Sequence, residues 1–289
     1  MNCPLCDHKR TSSSWFGSTS FNGREFHYLQ CLLCGSHFYV PMPDNETLAL
    51  LYGQEYFKSG ISNQAVEDPK EQHRVIEWLN KVKPGTFIDY GCGSGDLLRE
   101  ARILNWQAIG VEFDKDVAKS VEERTRTRVL NRLQVDSLGR HIGDVLHLGD
   151  VIEHLTDVNR EAPKILRLIK PGGLLIAQGP LEGNPNLFYF TLYLAHMLRR
   201  SHRSENPPYH VILASLKGQK EFFRRFGLKE LEFSVREVSW PVPERLSFNN
   251  FREPRTIGLF VLRRVSQMAS KLLPNRWGNR YFYVGCWDG

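Results

Sequence analysis

Thr86-Phe87-Ile88-Asp89-Tyr90-Gly91-Cys92-Gly93-Ser94-Gly95-Asp96-Leu97-Leu98 is the stretch from which the rest of the chain can be read. Phe87, Ile88 and their neighbours form a short apolar run with the length of a buried strand. Gly91, Gly93 and Gly95 then force a tight turn, and Asp96 opens an amphipathic helix with apolar positions at Leu97, Ala101 and Leu104. Glycines at that spacing let a ligand approach the backbone, and the helix that follows offers unpaired N–H groups. Twenty-one residues after Gly91, the strand Ala108-Ile109-Gly110-Val111 ends in Glu112, an acid placed to take both hydroxyls of a ribose.

Dinucleotides and S-adenosylmethionine both fit a strand, a glycine turn and a later acid. The dinucleotide fingerprint is G-x-G-x-x-G, whereas this order is Gly91-x-Gly93-x-Gly95, preceded by Asp89. An acid at the strand end suits the amino group of a methionine moiety and repels a pyrophosphate. The stretch resembles motif I of the class I S-adenosylmethionine-dependent methyltransferases. That resemblance runs from about Thr86 to Pro180 and takes in Asp150-Val151-Ile152-Glu153-His154-Leu155 and Lys170-Pro171-Gly172-Gly173. It implies a Rossmann-like α/β fold: a seven-stranded, mostly parallel sheet with helices on both faces. It further implies S-adenosylmethionine held by Asp89, Gly91, Gly93, Gly95 and Glu112, with Asp136 at the adenine amino group and Asp150 bordering the cofactor.

Strand patterns at 129–133, 143–148, 174–177, 231–235 and 281–286 alternate with helical ones, as a parallel sheet requires, and the last strand is antiparallel in this fold family. Ahead of them, Cys3-Pro4-Leu5-Cys6 and Cys31-Leu32-Leu33-Cys34 are two C-x-x-C knuckles twenty-four residues apart. Two such pairs supply four thiolates to one tetrahedral centre and leave no open position, the pattern of a structural zinc ribbon. The expected organisation is therefore a ribbon over 1–43, connecting helices over 44–84, and a methyltransferase domain over 85–289 with helical insertions around 185–210 and 255–275.

Net charge is +6, with 38 basic and 32 acidic residues, which permits an anionic partner without identifying one. No secretory signal precedes Cys3, and the apolar run Leu187–Leu198 is too short to span a bilayer. The reducing cytoplasm, or the inner face of its membrane, is the expected location. Two basic-flanked apolar segments, 187–203 and 257–273, read as lid or core helices. They also fit an interfacial membrane contact and, less well, a nucleic-acid surface. In the second, Ile257, Val261, Val265, Met268 and Leu272 share one face and Arg263, Arg264, Gln267 and Lys271 the other.

Methyl transfer needs an aligned nucleophile and often a base. Asp150 and His154 lie just past a strand's carboxyl end, where open parallel sheets bind ligands, and His154 is the candidate base. Asp150-x-x-Glu153-His154 also resembles an acid-x-x-E-H cluster that holds a divalent cation in ubiquinone-type O-methyltransferases and small-RNA 2′-O-methyltransferases, and His210 is placed to complete it. A ribbon joined to this catalytic branch resembles bacterial methyltransferases of sugar and surface-glycan biosynthesis. That implies O-methylation of a small-molecule or glycan-precursor acceptor. The alternatives are an RNA methyltransferase with a zinc-binding N-terminal module, or a non-catalytic scaffold that binds the cofactor.

Overall fold

The computed structural model describes residues 1–51, 69–199, 203–204, 207–238 and 253–289. Its larger sheet grows from β4 (Thr86–Tyr90), whose Phe87, Ile88 and Asp89 are buried. Parallel to it run β5 (Gln107–Glu112) and β6 (Val129–Asn131) on one side, β7 (Gly143–Gly149) and β8 (Ile169–Pro180) on the other. Antiparallel β12 (Arg280–Trp287) enters between β8 and β11 (Leu228–Arg236), giving the order β11-β12-β8-β7-β4-β5-β6. The strand order reverses between β4 and β7, and the carboxyl ends of those two strands open the crevice where such sheets bind ligands.

Helices cover both faces because their apolar positions recur at helical spacing. In α3 (Asp96–Ile103) Leu97, Leu98 and Ala101 are buried; α4 (Lys115–Thr125) buries Ala118 and Val121 and is capped by Asp114, whose carboxylate accepts the N–H groups of Asp116 and Val117. Helix α5 (Val158–Leu166) starts at Asp157 in the same way. Upstream, α1 (Asn45–Leu51) and α2 (Pro69–Lys81) correspond to the two expected connecting helices. The remainder of the first helix pattern, to Tyr56, and the polar stretch 59–68 lie outside the described residues. After β6 the expected strand gives way to a 3-10 turn over Arg132–Leu138, started by an Asn131 capping box.

The four-cysteine segment builds a second sheet. Strands β1 (Thr11–Phe21), β2 (Arg24–Cys31) and β3 (His37–Val40) form a meander, with Asn22 and Gly23 both at positive φ in the tight turn between the first two. Its edges are completed from far along the chain. Residues Arg203–Ser204 (β9) pair with β1, and Ile212–Leu213 (β10) pair with β3. Phe26, Phe38, Leu5, Cys3 and Cys31 belong to the same buried cluster as Ile88, Leu146 and Leu175 of the large sheet. The N-terminus of α7 (Leu216–Arg225) seals the joint: Ser215 Oγ donates to the Cys34 carbonyl at 2.6 Å, and Ser36 Oγ accepts the Ser215 N–H at 3.0 Å.

Two helices project from this frame, α6 (Leu187–Arg199) and α8 (Pro254–Leu272), which pack against each other. The orientation of α8 is the reverse of a core helix. Ile257, Val261, Val265, Met268 and Leu272 are all exposed, while Arg263, from the polar side of the pattern, is 2% exposed. Its guanidinium lies over the Phe188 ring and 3.6 Å from a Glu237 carboxylate oxygen.

A shared core has a measurable consequence. Phe38 is fully buried at the junction of the two sheets, so Phe38→Ala should cost about 3–5 kcal/mol. Denaturation followed by tryptophan fluorescence and by circular dichroism should still give one coincident transition. A separate, earlier melting of the N-terminal sheet would show that the two sheets are independent.

Candidate active site

The turn after β4 is pinned to β5: the N–H groups of Gly91 and Cys92 both donate to the Val111 carbonyl, at 2.8 and 3.1 Å. Gly91, at φ 83°, lets the chain beyond β7 close over it, since a Cβ there would stand 2.8 Å from Val151 Cγ2. Gly93 differs. A Cβ on it would meet nothing within 4 Å, so its bare backbone faces the crevice and is open to a ligand. The Gly93 N–H donates to Glu112 Oε2 at 2.9 Å, and the Phe113 N–H donates to Oε1 at 2.7 Å. Burial lifts the Glu112 carboxyl above its ordinary value against those two hydrogen bonds. Each oxygen retains a second lone pair for ribose hydroxyls. An open glycine cradle beside a buried acid fits S-adenosylmethionine.

Asp89 takes a less exposed place than its position in the motif suggests. It is 2% exposed, with Oδ1 2.7 Å from Nδ1 of His147 on β7. It therefore stiffens the floor of the crevice. The His147 Nε2, buried beside it, has no hydrogen-bond partner among the described residues. Gly95 packs inward on Val121 and Thr125 of α4. Asp136 is not brought to the crevice. It is largely exposed and paired with Arg167, where α5 ends and the chain returns to the amino end of β8. The polar group that ends β6 at the carboxyl edge is instead Asn131, whose Nδ2 donates to the Phe113 carbonyl at 2.8 Å.

Asp150 begins the other wall. It adopts φ 51°, a left-handed turn directly after β7, and Arg280 holds both its oxygens, at 2.8 and 2.9 Å. Burial alone would raise the Asp150 carboxyl; the Arg280 charge outweighs it and lowers the pKa. The same guanidinium grips Glu71 of α2 at 2.9 and 2.7 Å. With its oxygens committed to Arg280, Asp150 is a structural anchor and does not belong to the cation cluster that the sequence pattern suggested.

Glu153, His154 and His210 form that cluster, with one ligand atom of each lying within 4.8 Å of the others. A 3-10 turn over Ile152–His154 supplies the first two. The third comes from the segment ahead of β10, drawn in by the Val211 N–H, which donates to the Glu153 carbonyl at 2.9 Å. Both rings are oriented from behind. His154 Nδ1 donates to the Tyr209 carbonyl at 2.8 Å, and His210 Nδ1 to Glu182 Oε2 at 2.8 Å. Nε2 is then the nitrogen each histidine offers, the arrangement that metal-binding histidines adopt. Glu153 Oε1 is buried with no hydrogen-bond partner among the described residues.

The charges are coupled. Burial, then the nearby Asp150 carboxylate, pushes the Glu153 carboxyl up to about 8. Burial lowers His154 to about 4, helped by the charge of His210. Burial would lower His210 as well, but the Glu182 carboxylate and its hydrogen bond hold that imidazole up to about 9. The cluster thus carries protons in neutral solution that a bound cation would displace.

In the N-terminal segment, the Cys3 and Cys34 sulfurs are 3.7 Å apart and those of Cys6 and Cys31 3.5 Å apart, with all four within 4.8 Å. A tetrahedron of thiolates at about 2.3 Å from a zinc ion has edges of about 3.8 Å. Sequence reasoning missed His147, Glu182, Arg280 and Glu71. Arg280 stands 130 residues from Asp150 and 209 from Glu71, and no local pattern marks a pairing over such distances.

Residues 68–232 match a family described as a methyltransferase domain. Over 180 residues the chain is 26% identical to a 2-methyl-6-phytyl-1,4-hydroquinone methyltransferase of Synechocystis, covering 59% of this chain and 55% of that protein. Over 110 residues it is 32% identical to a ubiquinone biosynthesis O-methyltransferase of Rhodopseudomonas palustris, covering 36% and 42% respectively. The chain thus spans about half the length of the curated relatives it matches. Among solved structures, a chain from the Haloferax volcanii complex of the Trm112 methyltransferase activator is 17% identical with TM-score 0.51, covering 81% of this chain and 96% of that one, a likeness of fold. The family match, which takes in more than half of the chain, agrees with the glycine turn, the buried acid at the end of β5 and the reversed strand order: the chain belongs to the methyltransferase-domain family, among the class I S-adenosylmethionine-dependent methyltransferases.

Proposed function

We propose that this chain transfers the methyl group of S-adenosylmethionine to a hydroxyl of a small molecule, with a divalent cation held by Glu153, His154 and His210. The observation that carries the reading is the convergence of that buried carboxylate and two backed imidazoles beside the cofactor crevice. S-adenosylmethionine supplies an electrophilic methyl, and a divalent cation lowers the pKa of a hydroxyl brought to it. Gly93 and Glu112 hold the cofactor, and Arg280 with Asp150 braces the wall beside it. As a C–O bond forms, the C–S bond breaks and the hydroxyl proton leaves to solvent. Phenolic acceptors rank first, because their hydroxyls ionise more readily than those of sugars and because the curated relatives are named for hydroquinone and ubiquinone-pathway methylation. Glycan-precursor acceptors rank second. A methyl-transfer assay with labelled cofactor against phenol, glycan-precursor and RNA pools tests the acceptor class; label moving into RNA alone would overturn the reading.

A second reading dispenses with the cation and uses His154 as the base. With its Nδ1 donated to Tyr209, its Nε2 would accept the hydroxyl proton. The two readings part cleanly. Under the first, Glu153→Gln and His210→Ala should be as damaging as His154→Ala, and turnover should require an added divalent ion such as Mn²⁺ or Mg²⁺. Under the second, only His154→Ala should lower kcat strongly, by about 10²–10⁴-fold. Calorimetry also reads the proton release. Glu153 and His210 must lose protons to bind an ion, so cation affinity should climb with pH, most steeply below about 8, and level off above about 9.

The cofactor assignment has its own test. Glu112→Ala removes a carboxylate hydrogen-bonding group and should weaken S-adenosylmethionine binding by roughly 1.5–3 kcal/mol. Unchanged affinity by calorimetry would move the ribose elsewhere.

Cys3, Cys6, Cys31 and Cys34 are proposed to hold one structural zinc ion. Elemental analysis of protein purified without chelator should find one zinc per chain, and Cys31→Ser should lose it together with thermal stability. A metal-free wild type of equal stability would refute the site.

A further inference from the structure

We propose that α6 and α8 form a surface that docks on an anionic phospholipid bilayer. The inference stands on these two helices and is independent of the acceptor and of the cation site.

The first observation is the inverted setting of α8. A helix with one apolar stripe normally turns it to the core. Here the stripe from Ile257 to Leu272 faces outward, and the polar side is drawn in through buried Arg263, which meets Glu237 and Phe188. A buried ion pair of this kind sets register more than it adds stability, so this one fixes the rotation of the helix with its apolar face to the outside. The second observation is that the neighbouring helix does the same. Leu194, Met197 and Leu198 of α6 are exposed at helical spacing, so most of the exposed large apolar side chains among the described residues lie on these two elements. Exposed apolar side chains concentrated in this way on two helices that pack together mark an interaction site.

Charge selects the occupant. Neither helix contains an acidic residue. Arg264 and Lys271 are exposed along the edge of the α8 stripe, and Arg276 follows just beyond. Long basic side chains flanking an apolar stripe can lay their stems on it and place their heads among anionic headgroups. At 1.5 Å per residue the nineteen-residue α8 is about 28 Å long. No described helix is long and apolar enough to cross a membrane, so the contact is an interfacial one, parallel to the surface. A second copy of the chain fits less well. A two-fold contact through α8 would face Arg264 and Lys271 with their own counterparts, and the helix carries no carboxylate to answer them.

The test is flotation of the full chain with vesicles of phosphatidylcholine alone and of phosphatidylcholine with about one-third phosphatidylglycerol. The protein should float with the anionic vesicles and much less with the neutral ones. The double substitution Met268→Glu/Leu272→Glu should cut binding at least tenfold while S-adenosylmethionine affinity, read by calorimetry, stays that of the wild type. Arg264→Glu and Lys271→Glu should each weaken it by about fivefold or more. Wild type that ignores both vesicle types, equal uptake by neutral and anionic vesicles, or glutamate variants that float unchanged would overturn the proposal. So would a wild-type dimer that Met268→Glu/Leu272→Glu converts to monomer, because the stripe would then be a subunit interface. Normal cofactor affinity in those same samples would leave the methyltransferase reading intact.

Discussion

The Arg280 guanidinium, forked between Glu71 and Asp150, is the contact on which the open side of the crevice depends. Asp150 sits in a left-handed conformation that costs a non-glycine residue of order 1–3 kcal/mol and persists only where its surroundings over-determine it. Arg280 supplies that determination through two charge-assisted hydrogen bonds. The turn then redirects the chain leaving β7, so that Ile152–His154, one residue further on, form a tight helical turn carrying Glu153 and His154 into the crevice. Glu71 ties the same guanidinium to α2, and Arg236 adds a second cation at 2.6 Å. An antiparallel strand from the end of the chain thus sets the geometry of a turn in its middle.

Charge alternates along the wall beyond that clamp. Arg280 neutralises Asp150, Glu182 neutralises His210, and Glu153 between them is kept protonated by burial and by Asp150. Each of these groups responds to the others because they share one partly enclosed space. Burying several ionisable groups together is costly unless they are paired. Here Asp150 and His210 each have a charged partner, and Glu153, which has none, is the carboxyl that burial pushes up to about 8. A chain with no use for an ion or a reacting group there could have filled the same space with apolar side chains.

The sequence made the crevice floor legible because its parts are contiguous. Strand, glycine turn and helix occupy thirteen consecutive residues, and the acid at the end of β5 follows at a spacing that one crossover helix dictates. The four cysteines were legible for the same local reason. Three things were not. Asp136 stood at a plausible interval, but a 3-10 turn rather than an extended strand follows Asn131, and the carboxylate ends beside Arg167. Asp150 read as a metal ligand because its partner Arg280 is remote in sequence. The stripe on α8 was correctly periodic, yet periodicity says only that a helix has two faces; which face turns inward was decided by Glu237 and Phe188, neither of them on that helix.

The N-terminal sheet also bears on the chemistry through its edge. Strand β3 pairs with Ile212 and Leu213, two residues beyond His210. The Tyr39 N–H donates to the Val211 carbonyl at 3.1 Å, while the Tyr28 hydroxyl donates to the His210 carbonyl at 3.2 Å. His210 is therefore suspended between the two sheets, its backbone fixed from the cysteine side and its ring fixed from behind by Glu182. His154 is fixed by the same segment, through the Tyr209 carbonyl. Cys31 closes β2 and Cys34 lies in the turn that leads to β3, so the four-cysteine segment, through the register of those two strands, bears on where both imidazoles point and couples the N-terminal segment to the geometry of a crevice formed elsewhere in the chain.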